Sequence, residues 1–242
     1  FIDVGYKELT IPANADGTHK LDAHSFHIWP RGKYMFIAMP NLDGSFTCTL
    51  FMPFEGEVSF DSIKTKEEAK NFFETNFPSV NHEIEDLTTD FFKNPTSAMV
   101  TMKCYPWTYW DKVALVGDSA HAVVPFYGQG MNAGFEDIYA LNGIIEKYGD
   151  DWEAIFQAYQ KERKPNADAI AELSYRNFIE MSSKTADPRF LLQKKIEKRF
   201  AEKHPEKWVP LYSRVTFSDR PYAEALAIGD EQEKIMEILG ML

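Results

Sequence analysis

The spacing of apolar residues divides the chain into a strand-rich first part and a helix-rich second part. Val4–Ile11 alternates loosely between apolar and polar positions, the period of a half-buried strand. Ser25–Trp29, Tyr34–Met39 and Phe46–Met52 are short runs rich in aromatic and β-branched residues. Pro30-Arg31-Gly32 and Asn41–Gly44 separate them, and Ala13–Thr18 is a polar turn containing Asp-Gly, so the stretch predicts antiparallel strands. At Lys64–Phe77 the period changes. Ala69, Phe72, Phe73 and Phe77 share one helical face, and Pro78 ends the segment. The acidic Asn81–Asp90 segment reads as a solvated face, and Ala98–Tyr105 as one more strand.

The chain is organised around Val113–Leu141, VALVGDSAHAVVPFYGQGMNAGFEDIYAL. Val113–Val116 is an apolar run long enough for a buried strand and too short for a helix. Gly117 and Asp118 stop it, a loop with Pro125, Gly128 and Gly130 follows, and from Met131 the spacing of Phe135, Ile138, Tyr139 and Ile145 is helical. A glycine loop opening onto a helix presents first-turn N–H groups without intrahelical partners, at the positive end of the helix dipole. That is a place for an anionic or electron-rich ligand. Beyond it, Asp151–Lys164, Ala167–Ser183, Pro188–Lys203 and Asp219–Leu242 carry helical periodicity, with prolines 165, 188, 205, 210 and 221 as breaks. Tyr175, Phe178 and Ile179 predict one buried face, with Asn177 and Met181 on another stripe. Ala225, Ile228, Ile235, Ile238 and Leu239 trace the last helix.

Composition narrows the function classes. With 242 residues, 44% of them hydrophobic, the chain can bury a core. A net charge of -11 argues against nucleic acid and anionic membranes as partners. Cys48 and Cys104 suit two free thiols in a reducing compartment, although sequence alone leaves a disulfide between them open. No apolar run reaches membrane-spanning length. His24 and His27, three apart on a strand, point to opposite faces and make no chelating pair, so no metal site is expected.

Three readings compete for the central stretch. Gly128-x-Gly130-x-x-Ala133 fits a dinucleotide fingerprint formally, but that motif must follow its strand directly and lead to a second parallel strand. Gly117-Asp118-Ser119 resembles a lipase nucleophile block. Its Asp-x-x-His, however, is Asp118 to His121, overlapping the serine and leaving no independent triad. GDSAHAVVPFYGQGMNAGFED as a whole resembles the second flavin motif of the FAD-dependent aromatic hydroxylases, the para-hydroxybenzoate hydroxylase-like monooxygenases. Gly117, Asp118, Pro125, Gly128, Gln129, Gly130 and Asn132 carry the match. Glycines that merely permit positive φ explain neither the Asp nor the ordered Pro, Gln and Asn.

The resemblance implies an α+β chain (α/β in the complete enzyme), missing an N-terminal Rossmann unit for the ADP half of FAD. Phe1 opening a strand-like run fits a fragment in the same way. It further implies a substrate-binding sheet region at 1–110, the C-terminal part of an FAD-binding domain at 111–150 and a helical region at 151–242. Gly117, Asp118, Pro125, Gly128, Gln129, Gly130, Met131 and Asn132 would contact FAD, with NADPH and O2 as co-substrates. The strings HIWPRGKYMFIAMPNLDGSFTCTLFMPFE, RNFIEM and VPLYSRVTF, with YKELTIP, resemble one branch that hydroxylates an aromatic amino acid. On that likeness Phe26, Ile37, Met39, Phe51, Pro125, Phe126 and Met181 enclose the substrate ring, and Asn177 and Tyr212 complete its carboxylate site. Phe26 and Tyr127 depart from that branch's usual residues. No residue is expected as a general base, because the cofactor carries the reactivity, and His121 is expected to pack or hydrogen-bond the loop. By residue type alone, the sheet aromatics are ordinary core. A hydroxylase for another aromatic, or a non-catalytic fragment keeping the fold, stays open. The expected setting is cytoplasmic, soluble and bacterial.

Overall fold

The computed structural model describes residues 2–238, without the side chains of residues 81–85 and 186. The chain is built of antiparallel sheet and helix and divides into two compact units, Phe1–Met99 with Met181–Ala186 and Val100–Glu180 with Asp187–Leu242.

The first unit is a five-stranded antiparallel sheet, in the order β2 (His27–Pro30), β3 (Met35–Pro40), β4 (Phe46–Pro53), β1 (Val4–Ile11), β5 (Ser97–Ala98). Helices α1 (Lys66–Asn76) and α2 (Ile84–Lys93) follow β4. The pleat sorts the strand residues. Phe36 and Ala38 of β3 and Phe46, Cys48, Leu50 and Met52 of β4 join Phe72, Phe73, Leu87 and Phe91 of the helices in one core. Alternate residues take the other face, where Met35 lies opposite Phe51, Ile37 opposite Thr49 and Met39 opposite Thr47. Ile37, Met39 and Phe51 therefore share one side of the sheet. Lys7, on the core side of β1, satisfies its ammonium on the Asn94 carbonyl at 2.8 Å and packs over the Phe91 ring. Thr65 caps α1 in a capping box with Glu68, and the helix ends at Phe77 before Pro78.

Two expectations in this unit fail. Asn81–Asp90 is not simply a solvated face: α2 occupies most of it and turns Leu87 inward, with Phe91 one turn on. Acidic residues on one helical side hid the apolar stripe on the other. Ala98–Tyr105 is not a strand beyond Ala98, because the Met102 N–H bonds the Ala122 carbonyl instead of a ladder.

The second unit is mostly helical. A two-stranded ladder, β6 (Thr108–Tyr109) with β7 (Val113–Ala114), leads into the short helix α3 (Asp118–His121) and a 3-10 turn at Pro125–Tyr127. The long helices α4 (Gly130–Tyr148), α5 (Trp152–Ser182) and α6 (Pro188–Lys203) follow, then α7 (Leu211–Thr216) and α8 (Tyr222–Ile238). One core joins Trp107, Ala120, Ile144, Ile155 and Tyr159; another joins Tyr127, Ala133, Ile170, Leu173, Val215 and Ala225.

Here the sequence misleads in three places. Val113–Val116 is not a buried strand: β7 has two residues, pairs among the described residues only with β6, and leaves Val113 50% exposed. Pro165 does not end a helix. α5 runs through it, the Asn166 amide bonding the Glu162 carbonyl at 3.2 Å while Tyr159 and Ile170 anchor the two sides in different cores. Tyr175 and Ile179 are exposed and only Phe178 of that trio is buried, because the packed side of α5 runs through Ile170, Leu173 and Asn177. Residues 239–242, where the last helix was expected to end, lie outside the described residues.

Candidate functional site

Gly117 begins the site. Its φ of 62° is open to glycine at no steric cost and turns the chain sharply out of β7. Asp118 follows on the exposed side of the turn. Ser119 Oγ donates to the Val116 carbonyl at 2.8 Å and accepts from the Val116 N–H at 3.2 Å, so this hydroxyl staples the turn. His121 turns instead to Asp137, its Nε2 at 2.5 Å from Oδ2. A serine so engaged, without histidine beside it, has no activated nucleophile to offer.

The loop then folds over Pro125–Tyr127 and reaches Gly128, whose φ of 66° and ψ of 22° are left-handed. α4 starts immediately after, and its N-cap, Gln129, makes no side-chain cap. The Ala133 N–H is bonded to the Gln129 carbonyl at 2.8 Å, and the amides before it form the helix's open end. Nothing lies within 4 Å of a Cβ built at Gly128, and Met131 and Asn132 are exposed beside it. Further along, Gly134 passes Gly117 so closely that a Cβ there would sit 3.7 Å from the Gly117 Cα.

Several expected contact residues face inward. Gln129 is buried, and its Oε1 accepts from Asn132 and from the Tyr222 hydroxyl, both at 3.0 Å. Asn177 is buried on α5 and its amide donates to the Phe126 carbonyl at 2.7 Å, while Phe126 packs on Phe178 with centroids 4.7 Å apart. Tyr212 stacks on Tyr127 at 5.5 Å. In the first unit Ile37 and Phe51 are buried, Met39 is 43% exposed and Phe26, just before β2, is 47% exposed.

Sequence reasoning missed the charged centre beneath the loop. Asp137 Oδ2 accepts the Gly117 N–H at 3.0 Å, and Oδ1 accepts Arg163 Nε at 2.8 Å. Arg163 Nη2 reaches the Ala133 carbonyl at 3.3 Å and Glu136 at 3.0 Å. Burial pushes the Asp137 carboxyl up, but the hydrogen bonds from His121, Arg163 and Gly117 outweigh it and hold it below the usual carboxylate range. Asp137 lies inside the matched motif and Arg163 outside it. No local pattern marks an arginine as buried, so only the fold could show the pair.

The start of α4 suits an electron-rich planar ring: its first-turn amides lack intrahelical partners at the helix's positive end, and no neighbour crowds the Gly128 position. Among the described residues no group of three or more His, Cys, Asp and Glu could hold a metal, and no helix is long and apolar enough to cross a membrane.

Residues 52–174, half of the chain, match the model of the FAD binding domain family, and the chain belongs to that family. The fold agrees. The FAD complex of a Klebsiella pneumoniae HpxO variant superposes with a TM-score of 0.63 at 17% identity, over 85% of this chain and 52% of that one. Among curated relatives, kynurenine 3-monooxygenase of Flavobacterium johnsoniae is 73% identical over 98% of this chain and 53% of its own length. That of Dictyostelium discoideum is 45% identical over 99% of this chain and 55% of its own. The chain spans about half the length of the curated relatives it matches.

Proposed function

We propose that this chain is the C-terminal portion of a flavin-dependent monooxygenase that hydroxylates L-kynurenine to 3-hydroxykynurenine with NADPH and O2. The observation that carries the flavin assignment is the uncapped start of α4 at Gly128–Asn132, set beside the Gly117–Asp118 turn. The relatives' name supports the substrate. When bound, FAD supplies the oxygen-activating chemistry. On this reading the loop Gly128, Gln129, Gly130, Met131 and Asn132 would lie against the electron-rich edge of the ring, and the exposed Asp118 would accept from hydroxyls of the ribityl chain. Pro125 belongs to the same loop.

Roles toward the substrate are assigned unit by unit. In the first unit, Ile37, Met39 and Phe51, on the sheet face away from α1 and α2, form apolar surface that excludes water, with Phe26 and Met181 added by resemblance. In the second, Phe126, Asn177 and Tyr212 are assigned to the substrate. The Asn177 amide already holds the Phe126 carbonyl, so replacing it also loosens the flavin loop. The ring of kynurenine is activated by its own ortho amino group, and no protein base is invoked. Two unpaired cysteines and bacterial relatives favour a cytoplasmic bacterial enzyme.

The test is NADPH oxidation by the full-length enzyme. L-kynurenine is expected to stimulate it much more than para-hydroxybenzoate does. Equal or reversed stimulation removes the substrate assignment and leaves a flavin hydroxylase of another aromatic. No NADPH oxidation with any aromatic leaves a non-catalytic module.

A further inference from the structure

We propose that Asp137 is a positioning residue for the flavin, acting with His121 and Arg163 to lock the Gly117–Asp118 turn onto the first turns of α4. This rests on the flavin reading of the loop and adds to it residues that do not touch the cofactor.

The turn and the helix start must keep a fixed spacing if one ligand is to be held by both, and backbone hydrogen bonding alone does not tie them. Asp137 does. It is 0% exposed, and a single carboxylate takes the Gly117 N–H, the His121 imidazole and the Arg163 guanidinium. Arg163 carries the restraint to the helix start, since its Nη2 meets the Ala133 carbonyl one turn into α4. Trp107 covers the assembly, its ring 5.2 Å from His121 and 5.9 Å from Tyr159, and the Tyr159 hydroxyl donates to the Leu115 carbonyl just before the turn. The carboxylate is thus shielded from water, where its hydrogen bonds are strong and geometrically demanding. Gly134 packs against Gly117 one turn before Asp137, on the same side of α4 as the carboxylate that takes the Gly117 N–H. A packing role alone requires neither the buried charge nor an acceptor aimed at a positive-φ turn.

The experiment uses the full-length enzyme, with FAD removed and titrated back by fluorescence quenching, and records visible circular dichroism of the bound flavin beside thermal unfolding of the apoprotein. Asp137→Asn is expected to weaken FAD binding by about tenfold or more, the loss of a buried charged hydrogen bond, and to alter the flavin dichroism. His121→Ala should do the same in smaller measure. His121→Gln, which keeps a donor near the Nε2 position, should restore both readouts. That pair decides the matter should Asp137→Asn fail to fold. FAD affinity falling only in step with apoprotein unfolding, with unchanged flavin dichroism and no rescue by His121→Gln, would show a purely structural centre and overturn the proposal. Unchanged affinity and dichroism in all variants also overturns it, while leaving the flavin site standing. A wild-type protein that does not take up FAD overturns both.

Discussion

Cys48 sits fully buried in β4, and burial pushes its thiol up to about 12. At neutral pH it has almost no thiolate and no access, so it reacts as a small apolar core residue. Mass spectrometry after alkylation is expected to find Cys48 unmodified in the native protein and modified once denaturant unfolds it; ready labelling of the folded state would contradict the packing. Gln129 makes a related point. Its motif places it in the cofactor loop without saying where its side chain goes, and the structure shows that side chain held by Asn132 and by Tyr222, 93 positions away. Glycine types and spacing were readable in sequence because they express backbone conformation. The direction of a polar side chain depends on partners elsewhere in the chain, and so it was not.

At the level of elements, strands and helices followed their local grammar closely. β1 (Val4–Ile11) and α6 (Pro188–Lys203) match their expected bounds. α1 begins where its cap stands: Thr65 Oγ accepts the Glu68 N–H at 3.2 Å while Glu68 Oε2 accepts the Thr65 N–H at 2.9 Å. Thr65→Ala is expected to lower stability by about 1 kcal/mol, read as a lower denaturant midpoint with an unchanged slope; no change in midpoint would mean that the packing of Phe72 and Phe73 alone sets this helix. The errors had a common source. Pro165 within α5, the open side of β7 and the hidden face of α2 all depend on which neighbours pack against a segment. α7, at Leu211–Thr216, is too short to show a period at all.

For the whole molecule, the carboxylates set the response to acid. Asp16, Asp22, Asp43, Glu68 and Asp111 are held below their ordinary range chiefly by local hydrogen bonds, and Asp137 by its buried partners. A group whose pKa is lowered by folding contributes stability above its unfolded pKa, and that contribution disappears as pH falls through the folded value. Relief of the repulsion within a chain of net charge -11 acts the other way only down to the isoelectric point near 5.1, below which growing positive charge adds to the destabilisation. All six of these carboxylates are held low, so below the isoelectric point both effects act against the fold. The thermal midpoint should be flat near neutrality and fall steadily below about pH 5. A midpoint that holds steady or rises as pH falls below about 5 would show that these carboxylates contribute little to stability.

By itself the sequence determined the antiparallel sheet, the helical second part, the glycine loop opening onto α4 and the flavin family that the loop belongs to. Those features are written in residues near one another along the chain, where periodicity, turn chemistry and motif spacing operate. Only the tertiary structure decided that Ile37, Met39 and Phe51 share the sheet face opposite the helices, that Asn177 grips the loop at Phe126, and that Arg163, 26 residues beyond Asp137, closes a buried charge under Gly117. Burial and hydrogen-bond partnership are properties of what folding brings together, and a linear pattern does not contain them.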